Sequence, residues 1–274
     1  MTAGTGPAQP GAPSSIAAPA LSLRGLTVSF PSGRGRADVV RSVDLDVPAG
    51  TTLGIVGESG SGKSITLRAL MGLLPGAATV ESGTLRLAGT DIPLSGRGLR
   101  PARRRRLAMV FQDPLAALDP VMTVGAQIAE IPRRVFGESR AAARDSALQL
   151  LESVRLPHPG RAAAAYPHQL SGGQRQRAVI AMALACRPEI LLCDEPTTAL
   201  DVTIQAEILD LLRELRTHSG LSMVFVSHDL AVVSAMADNI LVLQDGAVVE
   251  NGATGQVVHA PRRPYTRALL DAVL

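Results

Sequence analysis

Aromatic side chains are nearly missing from this chain, with no Trp, four Phe and two Tyr in 274 residues. Its core must therefore be aliphatic, and it lacks the stacking platforms on which single-stranded nucleic acids are read. Cysteine is as scarce. Cys186 and Cys193 sit in the aliphatic runs AMALAC and ILLC, where a thiol packs as a small apolar group, so neither a disulfide framework nor a cysteine metal site is expected. No apolar run approaches the ~18 residues that a membrane span requires, so any membrane role must come through a partner. Residues 1–20 carry no charged side chain and are rich in Gly, Pro, Ala and Ser. Without a basic segment or a dense apolar one they do not read as a signal peptide, and a disordered tail is expected. Lysine occurs once: among 27 lysines and arginines, Lys63 alone is lysine.

What is present is an aliphatic, mildly basic chain, 46% apolar with a formal net charge of +3, far from the footprint of a dedicated nucleic-acid binder. Three short strand-like segments open it, LSLRGLTVSF, VVRSVDLDV and TTLGIVG, the first two separated by an expected loop, PSGRGRAD. The third runs into GESGSGKS, followed by the helical pattern SITLRALMGLL. Strand, glycine-rich loop and helix form the context that a phosphate-binding G-x-x-x-x-G-K-[ST] loop requires. Gly57, Gly60 and Gly62 let the backbone curl so that N–H groups converge on phosphate oxygens, and the helix starting near Lys63 adds its positive end. Lys63 reaches the β- and γ-phosphates, Ser64 offers a hydroxyl to Mg²⁺, and Glu58, Ser59, Ser61 and Ile65 complete the cradle. ATP or GTP binding follows, without a choice among kinases, GTPases, motors and transporters.

Two further segments narrow that choice. In EILLCDE an apolar strand ends in two carboxylates at the edge where α/β sheets place ligands. Paired with the loop, Asp194 is expected to hold Mg²⁺ and Glu195 to orient and deprotonate an attacking water. Leu170-Ser-Gly-Gly-Gln174 precedes an amphipathic helix with Ser171 as its N-cap, a second anion-ready helix start. Set between the loop and the acidic strand, LSGGQ resembles the signature motif of ATP-binding-cassette (ABC) ATPases.

That resemblance implies an α/β fold: a P-loop NTPase core of ABC type with an antiparallel β subdomain and an inserted α-helical subdomain. The core falls on residues 21–112 and 170–250, the helical subdomain on 113–169 with the signature at its end, and a short extension on 251–274. It implies two nucleotide domains packed head to tail, with Ser171, Gly172, Gly173 and Gln174 of one acting on the nucleotide of the other. Gln112 in RLAMVFQDP matches the glutamine that touches Mg²⁺ and water, Asp201 in TTALD an interface loop, and His228 in MVFVSHDL the histidine that meets the γ-phosphate. Phe30 occupies the place of the adenine-stacking aromatic, with a core strand position as its other reading. YPHQLSGGQRQR, DEPTTALDVTIQAEILDLL and PRRPYTRALL together resemble the ATPases of peptide and nickel importers, although Arg263 stands where a His is typical.

ATP and Mg²⁺ are therefore the implied cofactors, and no iron–sulfur cluster is expected. The implied partners are a second ABC ATPase subunit, two transmembrane permease subunits and, indirectly, an extracytoplasmic solute-binding protein, without nucleic acid. The implied place is the cytoplasmic face of the membrane, and the implied cargo di- or oligopeptides, with a metal chelate as the alternative. A GTPase would need a guanine-reading lysine that this chain cannot supply. A P-loop kinase leaves LSGGQ and His228 idle. A soluble ABC ATPase acting on DNA or ribosomes would bring long coiled coils or a second cassette, and neither pattern appears. The run Arg103–Arg106 is expected to be a solvated strand flank, since no second basic block supports it.

Overall fold

The computed structural model describes residues 19–33, 35–94, 105–198 and 200–272. Most of the expected tail, Arg103 and Arg104 of the arginine run, and the last two residues of the C-terminal extension lie outside them. The first half of the chain gives β1 (Leu21–Ser32), β2 (Gly35–Val47), β3 (Thr52–Val56), α1 (Lys63–Met71), β4 (Thr79–Leu87), β5 (Thr90–Ile92) and β6 (Leu107–Val110). Helices follow: α2 (Pro114–Ala117), α3 (Val124–Phe136), α4 (Arg140–Ser153), α5 (Pro159–Ala164) and, after a short 3₁₀ turn, α6 (Gly172–Leu184). The remainder is β7 (Ile190–Asp194), α7 (Val202–Ser219), β8 (Ser222–Val226), α8 (Leu230–Met236), β9 (Asn239–Gln244), β10 (Ala247–Ala253), α9 (Thr254–His259) and α10 (Pro264–Asp271).

A strand that is apolar at every position needs two buried faces. The central sheet, in the order β10-β9-β3-β8-β7-β6, supplies them, with β9, β3, β8, β7 and β6 parallel and β10 antiparallel at the edge. Because side chains alternate along a strand, neighbours divide between two cores. Leu191, Cys193, Met223 and Phe225 face a core shared with the helices, including Ile128, Leu151 and Val179. Leu192, Val224, Leu53 and Ile55 face a second core shared with α1 and the other sheet. Both cores are overwhelmingly aliphatic, as the composition requires.

That other sheet is antiparallel, in the order β2-β1-β4-β5. It corrects one expectation: the loop predicted over PSGRGRAD is a hairpin in which strand pairing continues through Pro31↔Arg36 and Ser32↔Gly35. Proline is tolerated because β1 pairs with β4 only as far as Ser29, leaving Pro31 no ladder bond to spoil on that side. Arg36 fastens the hairpin, donating from Nε to Ser29 Oγ at 2.7 Å and from Nη2 to Ser29 O at 2.9 Å. Between Asp113 and Gln169 the chain is helical. Of the arginine run, Arg106 flanks β6 as expected, donating to Leu87 O at 3.0 Å and lying 3.6 Å from Glu189.

Candidate active site

Parallel strands bring their C-terminal ends to one edge, and expected site residues stand at the ends of four of them. The glycine-rich loop leaves β3, Asp194 ends β7 with Glu195 next to it, and His228 stands just past β8. Gln112, two residues beyond β6, arrives from the neighbouring strand.

The loop is shaped by close approach. A side chain at Gly57 would place its first carbon 2.1 Å from Leu243 O, so only glycine fits between the loop and β9. Lys63 opens α1 and turns back inside the loop, donating to Gly57 O at 2.7 Å and Glu58 O at 2.8 Å. It is 5% exposed. Burial holds its pKa below the ordinary lysine value, partly offset by the carboxylates of Glu195, Asp194 and Glu58. A buried ammonium facing carbonyl oxygens is a strong attractor for phosphate. The Ser61 hydroxyl is buried without a hydrogen-bond partner, a further donor aimed into the loop.

Ser64 Oγ donates to Asp194 Oδ1 at 2.7 Å, tying loop and acidic strand together. Burial raises the Asp194 pKa, while the Ser64 hydroxyl, Arg68 and Lys63 pull it down and Glu195 adds to the rise. Among the described residues no group of three His, Cys, Asp or Glu could hold a metal by itself. The donors present suit Mg²⁺ arriving with a nucleotide, since that ion takes one or two carboxylates and completes its shell with phosphate oxygens and water. Ser64, Asp194 and the Gln112 carbonyl oxygen would hold it, and it would neutralise charge on the phosphates.

Glu195 is the most heavily braced side chain of the edge. Its Oε2 accepts from Gln112 Nε2 at 3.1 Å and from Thr198 Oγ1 at 2.9 Å, and lies 3.4 Å from His228 Nδ1. Its backbone sits in the left-handed region, at φ 47°, with its N–H donating to Val226 O at 3.0 Å. Such strain in a non-glycine residue costs roughly 1–3 kcal/mol and collects at functional sites. A carboxylate fixed by two side-chain donors beside a half-exposed histidine is able to orient a water and accept its proton.

Ser171, Gly172, Gly173, Gln174 and Asp201 are not in this group. Ser171 caps α6, with its Oγ accepting from Gln174 N at 3.3 Å and Gln174 Oε1 accepting from Ser171 N at 3.0 Å. Gly173 lies against Ile204 and Gly172 against Leu200, so this helix start packs beside the one that Asp201 caps. Among the described residues no hydrogen bond or ion pair joins this second cluster to the glycine-rich loop. Phe30 is half-buried on β1 opposite Ala37, on the hairpin whose Val39 carbonyl abuts Gly62. Two residues escaped the sequence reading. Thr198 lies within DEPTTALD, where a hydroxyl three residues past the carboxylate is a usable signal. Tyr265 accepts from Glu58 N at 3.1 Å across a separation of 207 residues, which no local pattern announces.

Residues 40–198 match the family model described as ABC transporter. The chain is 47% identical over 260 residues to the glutathione import ATP-binding protein GsiA of Salmonella typhimurium, covering 92% of this chain and 42% of that protein. It thus spans less than half of the glutathione relatives it matches. It is 46% identical to the dipeptide transport ATP-binding protein DppD of Bacillus subtilis, covering 92% of this chain and 76% of the other. The fold overlays a solved dimeric ATP-binding cassette in a post-hydrolysis state with ADP and phosphate, at TM-score 0.76 and 30% identity, covering 85% of this chain and 98% of that one.

Proposed function

The chain belongs to the ABC transporter family, and from that premise we propose that it is the ATP-binding and hydrolysing subunit of an importer for di- or oligopeptides. The observation that carries the reading is the bracing of Glu195 by Gln112, Thr198 and His228, next to the Ser64–Asp194 pair. ATP enters the glycine-rich loop, with Lys63 and Ser61 turning to its phosphates. Glu195 takes a proton from the attacking water, Gln112 holds that water and the metal, and His228 steadies the γ-phosphate.

The second cluster completes the site of another subunit. Two chains pack head to tail, each presenting Ser171 to Gln174 and Asp201 to the loop of the other, and a paralogue is the expected second subunit. No described helix is long and apolar enough to cross a membrane. Coupling runs through two permease subunits at the cytoplasmic face, with solute delivered by a binding protein outside, a reading that the importer names of the relatives support. The names of the relatives, importers of dipeptides, oligopeptides and glutathione, support a peptide over a metal chelate.

Glu195→Gln keeps the shape of the side chain and removes the base. ATP binding should persist while turnover falls roughly 10²- to 10⁴-fold, the span of general-base catalysis. Chromatography with ATP and Mg²⁺ should then show a persistent dimer. Ordinary turnover in this variant would remove Glu195 from the role.

A further inference from the structure

The segment PRRPYTRALL folds back onto the mouth of the glycine-rich loop, where nothing in the nucleotide chemistry above employs it. We propose that Tyr265 is a positioning residue for the phosphate loop, its phenol oxygen holding the Glu58 peptide in the orientation that receives nucleotide. The proposal rests on the ATP-binding reading and adds to it a residue from the far end of the chain.

The geometry is a peptide gripped from both sides. In the Gly57–Glu58 peptide unit the Gly57 carbonyl accepts from Lys63 Nζ at 2.7 Å, and the Glu58 N–H donates to Tyr265 Oη at 3.1 Å. When Lys63 swings to a phosphate, the first of these bonds is given up. The loop has little stiffness of its own, since Gly57, Gly60 and Gly62 all sit at positive φ. Among the hydrogen bonds of the described residues, the Tyr265 bond alone then holds the Gly57–Glu58 peptide plane, and with it the direction of the amides that follow.

A positioning group must itself be held, and Tyr265 is. It is the second residue of α10, entered through Pro264, and it packs with Leu269 and Leu270 against the core. The lead-in is anchored by Glu250 on β10, 6% exposed, whose Oε1 accepts from Arg262 N at 2.8 Å and Oε2 from Arg263 N at 3.2 Å. Arg263 Nε donates to Val249 O at 3.2 Å beside it. Burial pushes the Glu250 carboxyl up, but the two amides, with help from the Arg262 charge, leave it below its ordinary value, as expected of an anion held by backbone donors. One buried carboxylate therefore anchors the turn from which the phenol reaches the loop.

Tyr265→Phe retains the ring and deletes only the hydroxyl. The dissociation constant of a fluorescent ATP analogue with Mg²⁺ should rise roughly two- to fivefold, and deuterium exchange at the Glu58 amide without nucleotide should quicken by a similar factor, the scale of one exposed hydrogen bond. KM for ATP should rise in parallel while kcat stays within about twofold, a split that general destabilisation would not produce. Glu250→Gln leaves the phenol intact but turns one acceptor toward an N–H as a donor. It should move both readouts in the same direction, and it decides the matter if the Phe variant folds poorly. If either the affinity or the Glu58 exchange is unchanged in the deciding variant, the proposal is overturned. Lys63→Ala belongs in the same experiment: if it too binds the analogue like the unaltered chain, the nucleotide reading fails, whereas loss of binding there with an unaffected Tyr265 variant sinks only the positioning role.

Discussion

Lys63 shows how narrow the tolerance of a single side chain becomes when the backbone closes around it. Its ammonium fits between two carbonyl oxygens at 2.7 and 2.8 Å, a spacing for a point charge on a slim stem. A guanidinium is a planar fork that needs width the loop does not have. Lys63→Arg should therefore weaken ATP binding roughly tenfold or more despite keeping the charge, since bonds to a charged donor are misplaced rather than deleted. A titration matching the unaltered protein would make the lone lysine an accident of composition. At this scale the sequence singled out Lys63, Ser64, Asp194 and Glu195 by type and spacing, and the structure brings the four together. The sequence was silent on Tyr265, whose hydroxyl acquires meaning only from its partner. It was silent also on the strained backbone of Glu195, because a φ angle is imposed by the surroundings of a residue and not by its identity.

Elements carry the site residues only as accurately as they pack. Gly54, in the middle of β3, is where α8 lies directly on the sheet. A methyl group there would fall 2.3 Å from Val233 Cγ1 and 2.9 Å from Ala237 Cβ, neither of which is the free end of a flexible chain. Gly54→Ala should cost about 1–3 kcal/mol by overpacking, seen as a lower midpoint in urea. Because α8 begins just past His228, hydrolysis should fall along with stability. An unchanged midpoint would show that α8 yields freely. The apolar strands and the capped helix at Ser171 could be read from pattern, since periodicity and capping chemistry are local. The hairpin over PSGRGRAD could not. Its glycines and arginines look like a loop, and it is ordered by Arg36 gripping Ser29 and by pairing with β1.

The molecule as a whole holds two clusters, one around the glycine-rich loop and one around the starts of α6 and α7. Val202, 83% exposed, stands next to Asp201 at the edge of the second. In a mixed dimer with Ser171→Ala in one subunit, turnover at the opposite loop should drop roughly tenfold or more, the scale of losing one donor to a developing charge. Turnover at the loop of the altered subunit should be retained. Sites resolved by tagging one loop with a Lys63 substitution would separate the two, and a loss confined to the altered subunit would contradict head-to-tail packing.

By itself the sequence supplied the candidates: a phosphate loop, a carboxylate for a metal, a carboxylate for a base and a capped helix start are each read from adjacent residues, and their joint occurrence in one chain points to the chemistry. Tertiary structure decided which of these meet. Parallel pairing of β3 with β8 and β8 with β7 brings Lys63, Glu195 and His228 to one edge, while the signature is carried elsewhere by a helix that packs on α7. It also decided that the last helix returns to the loop, through a buried carboxylate at Glu250. Contacts over such separations depend on how aliphatic faces fill space together, and no short stretch of residues encodes that.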